Sequence, residues 1–275
     1  MLSYTMKRNT LNNFTVKNLK LNKNVIIYSG NSHITLTGKA GDSVAVPPLS
    51  LYFLEKKLCF DLNVTSQKKG VTYDFYAIPE KTSCKIKKSY EFLADVSPND
   101  LIKHRGFKER IFPLNTDEFS VKIFKDLTTH KSHDEEALFF ELLFILSRTQ
   151  QKNDLFKSFF ITSVKSFSDQ VKNIINDNIG KKWRIGDISE ILNISEITVR
   201  KKLEVEATTF NNLLLDMRMH TAMQYIIYED LHINQIASVL GFSTPSYFIK
   251  IFKEYYGITP KKLMVCYRKA NFGSD

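Results

Sequence analysis

The segment Ile185 to Ser195 returns in outline 48 residues later as Ile233 to Ser243. Both copies set apolar residues at i, i+3, i+6 and i+7, a small residue (Ser189, Ala237) after the second isoleucine, and a turn residue (Asn193, Gly241) two positions before a serine. Past the turn, Val199 to Leu203 matches Phe248 to Phe252 at an offset of 49, so the second copy carries one extra residue near its turn. Apolar residues at that spacing line one face of a helix. A short helix, a tight turn and a capped second helix form a helix-turn-helix. A chain that repeats the pattern is expected to build an all-α domain around two such units.

The parts of each copy suit that geometry. The small residue lets two helices cross closely, and Gly241 takes the positive φ of a turn without steric cost. Ser195 is placed to cap the second helix of the first copy. Ser243 or Thr244 is placed to cap that of the second, where Pro245 fits the first helical turn because its missing N–H is harmless there. Between the copies, Thr209 to Tyr228 is an uninterrupted helical stretch of 20 residues. At ~1.5 Å per residue it spans roughly 30 Å, close to the ~34 Å between successive major-groove faces on one side of B-DNA. A spacer of that length suits one chain reading two adjacent turns of duplex, each unit presenting the start of its second helix to the groove.

The front of the chain reads differently. Over 10–95, the runs Val25–Tyr28, His33–Thr37, Val44–Val46, Leu49–Leu54, Phe60–Thr65 and Val71–Ile78 are short and apolar or alternating, with turn signals between them. That pattern predicts an antiparallel sandwich or barrel. Residues 97–165 read as helical. Ser97-Pro98-Asn99-Asp100 is a start signal, Asn115 to Thr128 sets Phe119, Ile123 and Leu127 at four-residue steps, and Asp134-Glu135-Glu136 places negative charge at the start of an Ala137–Arg148 helix. The expected fold is α+β: an N-terminal β-sandwich or barrel with helices over 1–165, then an all-α domain with two helix-turn-helix units over 166–275.

The net charge is +10, yet +8 of it lies in residues 1–165 and +2 in 166–275. A nucleic-acid role therefore rests on local placement and not on global charge. Three scattered cysteines (Cys59, Cys84, Cys266) point to a reducing cytoplasm and not to a disulfide framework. The sequence contains no secretion signal and no apolar stretch of ~18 residues, so a cytoplasmic protein with no membrane partner is expected. No Gly-x-Ser-x-Gly, Walker loop, His-Glu-x-x-His or Cys-x-x-Cys occurs, which leaves a β-barrel enzyme with a helical appendage without reactive groups. The segment His130-Lys131-Ser132-His133 lacks cysteines or a second cluster and is read as solvated, with no metal. The alternative to DNA binding is a non-catalytic protein-binding adaptor, whose helical half would show no salt-dependent affinity for DNA.

Arg218…Ala222, Ile236-Ala237, Gly241-Phe242, Ser246-Tyr247-Phe248, Phe252-Lys253, Tyr256-Gly257 and Thr259-Pro260 follow one another in order. With that set, residues 168–265 resemble the DNA-binding domain of the AraC/XylS family. The runs Ser246 to Lys262 and Ser195 to Lys201 are similar to its enteric virulence-regulator branch. The resemblance implies a cupin-like β domain that senses a small molecule and supports a homodimer. It also implies an activator of virulence genes that works on double-stranded promoter DNA with RNA polymerase. No cofactor is implied, only a small carboxylate effector such as bicarbonate or a fatty acid. Apolar strands in a strongly basic front half predict a pocket for such an anion between the β domain and the helical half. Lys23, at the entry to the Val25–Tyr28 run, is placed like a basic residue that the branch uses for such a ligand. Carried over position by position, Ile197, Arg200 and Lys201 face bases from the first unit, and Pro245, Ser246, Ile249 and Lys250 from the second. Arg and Lys donate to guanine, whereas Pro245 and Ile249 offer only apolar contact, for instance with a thymine methyl. Thr198, Lys202, Lys253 and the helix starts at Ser195 and at Ser243 or Thr244 are the phosphate contacts. Trp183, Tyr247, Phe248 and Phe252 are read as packing residues.

Overall fold

Alternation along β1 (Asn13–Lys20) puts Phe14 and Val16 inside and their neighbours outside, as in a sheet with one wet face. The computed structural model describes residues 13–66, 73–91, 105–129, 134–162, 166–229 and 231–268. One compact unit takes in the chain up to Val164, and a second spans Lys165–Met264.

In the first unit, β1, β6 (Cys59–Thr65), β3 (His33–Gly38) and β4 (Ser43–Val46) form an antiparallel sheet in that order. A second sheet runs β7 (Asp74–Ala77), β2 (Val25–Tyr28), β5 (Leu51–Leu54), β8 (Ile111–Leu114). Every residue of β2 is buried, because it lies between β5 and β7 with Ile26 opposite both Phe53 and Tyr76. Among the described residues, four helices belong to this unit: α1 (Glu80–Glu91), α2 (Glu118–Thr129), α3 (Glu135–Ser147) and α4 (Lys152–Ile161). One core joins Ile26, Phe53 and Phe112 of the second sheet to Phe124, Leu142 and Phe159 of the helices. Glu55 is buried beside them and accepts from Arg110 Nε at 2.9 Å and from Arg105.

The α+β class is as expected, but the boundary within the first unit is less clean than 10–95 β and 97–165 helical. Helix α1 lies inside the β-rich segment, and strand β8 lies inside the helical one. Among the described residues β8 pairs with β5 alone, at the sheet's edge, where Pro113 lacks no needed donor. Phe119, Ile123 and Leu127 do not share a buried face either. Four-residue steps advance ~40° each around a helix, so the line drifts from Phe119, 70% exposed, to Leu127, 1% exposed. The Ser97–Asp100 start signal and His130–His133 lie outside the described residues. Among the described residues no helix is long and apolar enough to cross a membrane.

The second unit is helical throughout: α5 (Phe167–Asn176), α6 (Ile185–Leu192), α7 (Glu196–Val205), α8 (Phe210–Tyr228), α9 (Ile233–Val239), α10 (Pro245–Tyr256) and the start of α11 (Pro260–Arg268). Val171, Ile188, Val199, Leu203, Phe210 and Leu213 form the core around the first repeat, with Trp183 packed against it. Ile236, Ala237, Phe248, Phe252 and Tyr256 are buried in the second repeat, their rings continuing from Phe242 through Phe248 and Phe252 to Tyr256.

Candidate nucleic-acid interface

Each repeat folds as helix, turn, helix. Asn193 ends α6 in the left-handed region at φ 51°, and Gly241 follows α9 at φ 74°. Both residue types visit that region readily. The second helices then start on caps: Ser195 Oγ accepts from Thr198 N at 3.2 Å, and Thr244 Oγ1 accepts from Tyr247 N at 3.2 Å. Thr244, not Ser243, is therefore the cap of α10, and Pro245 takes its first position. The extra residue of the second copy lies in this turn. The first helices stay at offset 48 (Ile188, Ile236), whereas caps and second helices stand at 49 (Ser195, Thr244; Val199, Phe248).

That register sorts the outward side chains. Along α7, Val199 and Leu203 are buried, while Ile197, Arg200, Lys201 and Glu204 are exposed. Along α10, Phe248 and Phe252 are buried, while Ser246, Ile249, Lys250 and Lys253 are exposed at the equivalent places. Positions i, i+3, i+4 and i+7 form one stripe on a helix, so each unit shows solvent a narrow, largely polar or basic face. Ile197 is 66% exposed, an unusual place for an isoleucine without a partner. Pro245 and Ser195 are exposed and Thr198 is partly so.

The cations on these stripes are weakly engaged. Arg200 meets Glu196 at 3.0 Å and Lys250 meets Glu254 at 4.0 Å, all four side chains well exposed. Exposed pairs of this kind are worth about 0–1 kcal/mol, so they hold these cations only loosely. Lys202 differs: its ammonium lies 5.1 Å from the centre of the Phe167 ring. Trp183 packs as expected and donates from Nε1 to Asn178 O at 2.8 Å. Tyr247 does not. It is 51% exposed, beside Phe242 and at the position equivalent to Thr198, so it joins the polar flank that sequence reasoning missed. The signal was available in the 49-residue register, which aligns Tyr247 with Thr198 and not with a core residue.

α8 separates the two units. It has 19 residues, about 28 Å at the α-helical rise, and its start is capped by Thr209, whose Oγ1 accepts from Asn212 N at 3.2 Å.

Lys23 stands in the first unit, in the turn between β1 and β2. It is partly buried, which pushes its ammonium pKa down, while Glu80 raises it and Lys56 lowers it. Lys56 pairs with Glu80 at 3.1 Å. Those two, with Asn24, Lys87 and Phe159, line a cavity of about 20 Å³.

Two helix-turn-helix units joined by one helix, in a chain that also carries a β-sandwich, define a DNA-binding regulator of transcription. The helix-turn-helix domain family matches residues 188–264. The chain is 34% identical over 250 residues to the HTH-type transcriptional activator FapR of Escherichia coli, covering 91% of this chain and 95% of that protein. It is 31% identical over 251 residues to the virulence regulon transcriptional activator VirF of Shigella flexneri, again over 91% and 95%. The solved structure of ToxT from Vibrio cholerae superposes with a TM-score of 0.74 at 18% identity, over 97% of this chain and 98% of that one. ToxT bound to an unsaturated fatty acid gives 0.73 at 17%, over 98% and 96%. The chain belongs to the AraC/XylS family, in its enteric virulence-regulator branch, and is a DNA-binding transcriptional activator. Its relatives are regulators and not enzymes.

Proposed function

We propose that the chain activates virulence genes by binding a promoter site of about two duplex turns with both recognition helices, α7 and α10. The observation that carries this reading is the matched pair of exposed stripes at a constant offset, above matched buried residues. Ile197, Arg200 and Lys201 face bases in one groove segment, and Pro245, Ser246, Ile249 and Lys250 in the next. Thr198, Lys202, Lys253, Tyr247 and the capped starts at Ser195 and Thr244 hold phosphates. The equivalent positions are chemically exchanged: Ile197 and Arg200 in α7 correspond to Ser246 and Ile249 in α10. The two half-sites are therefore expected to differ in sequence, with a guanine opposite Arg200 and a thymine methyl near Ile249.

Selection of duplexes from a random pool by the full-length chain tests this. A two-part consensus is expected, bound with an affinity that falls steeply with salt. Arg200→Ala should cost about 1–3 kcal/mol and relax the preference at one base pair. An equal loss on every sequence would make Arg200 a phosphate contact.

The same proposal places the protein in the cytoplasm with RNA polymerase as a working partner, and assigns effector sensing and homodimerisation to residues 1–165. A small carboxylate, bicarbonate or the head of a fatty acid, is its effector, with Lys23 as the counter-ion. A cation already stripped of part of its water gains more from an anion than a fully solvated one does.

A further inference from the structure

The exposed stripes say where each recognition helix meets DNA, but not what fixes the two helices at one separation. A single helix such as α8 bends along its length, so a second tie is needed for a fixed spacing. The structure contains one. Arg218, near the middle of α8, donates from Nη2 to Lys181 O at 2.9 Å and from Nε to Ile179 O at 3.4 Å. Its guanidinium also lies 5.7 Å from the centre of the Phe242 ring. Ile179 and Lys181 are in the loop that leads into α6, and Phe242 is in the turn of the second unit. Arg218 therefore touches the loop that enters the first unit and the turn of the second at once, away from either stripe.

The backbones of those two loops meet directly. A Cβ on Gly241 would collide with the carbonyl oxygen of Gly180, and a Cβ on Gly180 would collide with the carbonyl oxygen of Val239. Gly241 also needs its positive φ, but Gly180 has none, so close approach alone accounts for the missing side chain there. A further tie lies nearby, where Tyr255 of α10 donates to Asp216 of α8 at 2.8 Å.

We propose that the bracket of Gly180, Arg218, Gly241 and Phe242 sets the spacing of the two recognition helices, so that the chain accepts promoter half-sites at one separation only. Arg218 is a positioning residue in this arrangement and touches no base. The proposal rests on both units binding DNA at once.

The test uses the full-length chain and a two-part duplex enriched by it from a random pool, together with derivatives that carry one or two extra base pairs between the parts. Each insertion moves the second part by ~3.4 Å and turns it by ~34°. The wild-type chain should lose about tenfold or more in affinity on insertion, towards that of one part alone. Arg218→Ala should bind the original duplex more weakly and lose less than about threefold on insertion. Arg218→Lys keeps the charge but not the planar fork of donors and should fall between them; it decides the question if the alanine variant does not fold. Gly180→Ala should act in the same direction through the backbone contact. An enriched pool with no consensus would defeat the DNA reading itself, and a one-part consensus would defeat the use of both units. A two-part consensus that the wild type tolerates at any spacing, or an insertion penalty unchanged in folded Arg218 variants, would overturn the bracket.

Discussion

Ala207 sits just past α7 with φ 51°, the same left-handed region as Asn193 and Gly241 but with neither the asparagine amide nor the freedom of glycine. It ends the helix by donating its N–H to Glu204 O at 2.9 Å, and an alanine there carries a steric cost of roughly 1–2 kcal/mol. Ala207→Gly removes that cost and adds some entropy to the unfolded chain. The net expectation is a gain of up to about 1 kcal/mol in denaturant unfolding, with DNA affinity unchanged because Ala207 lies off the α7 stripe. A loss of stability would show that the Ala207 methyl makes packing contacts outweighing its backbone strain. At this scale the sequence was legible where a residue type has one structural use. Ser195, Pro245 and Gly241 stand in the roles their chemistry suggests. It was illegible where large aromatics are used on both sides of a helix: Tyr247 reads as a packing residue and is exposed, because a hydroxyl tolerates water, and Phe119, spaced to share a face with Ile123 and Leu127, is exposed because four-residue steps drift around the helix.

Among the elements, α5 is held by a residue distant in sequence. Its own Ser166 caps Asp169 N at 3.2 Å, but the first amides go to Glu206 beyond α7, which accepts from Phe167 N at 2.6 Å and from Ser168 N at 3.0 Å. Burial works against the Glu206 charge, yet the hydrogen bonds from the Ser168 hydroxyl and amide and the Phe167 amide outweigh it and hold the carboxyl below its usual 4.5. A carboxyl with a depressed folded value adds stability above its unfolded value, and that contribution disappears as pH falls through the folded one. Glu206→Gln is therefore expected to cost about 1 kcal/mol near neutral pH, with the gap to wild type closing as pH drops below ~4 in denaturation curves. A gap independent of pH would mean the carboxylate charge contributes nothing. Elements were legible in proportion to their periodicity. Six strand runs appear at or within a few residues of their expected places, whereas β1 escaped notice. Its pairing with β6 shifts register between Val16 and Leu19, where Asn18 takes φ 52° and donates its N–H to Asp61 at 2.8 Å. A bulge of that kind interrupts the alternation that marks a strand. β8 was hidden for a similar reason, because a proline in four residues is tolerated only at an edge, and edge position is a property of the assembled sheet.

For the whole molecule, the apolar residues that the first unit leaves in water mark the face on which the proposed homodimer would form. Phe140 and Phe144 stand one turn apart on α3, facing away from the buried Leu138, Leu142, Ile145 and Leu146, and Phe119 is exposed on α2. Leu127 of α2 is core, so a charge there reports on folding and not on assembly. Phe140→Asp and Phe144→Asp should move sedimentation to the monomer with little change in melting, while Leu142→Asp should lower melting sharply because it buries an unpaired charge. Sedimentation unchanged in the two phenylalanine variants would remove this face as an interface. The other whole-chain feature is charge, since +8 of the +10 lies in the part that does not hold the repeats. A carboxylate paired with Lys23 is one use for it. An effector at a hundredfold excess over its Kd stabilises by about 2.7 kcal/mol, or ~5–10 °C in melting for a domain of this size. Melting of the full-length chain with bicarbonate, and separately with an unsaturated fatty acid, should show that rise for at least one of them, and Lys23→Met should abolish it. A shift that survives Lys23→Met would move the site elsewhere in the chain, and no shift with either ligand would end the case for a carboxylate effector.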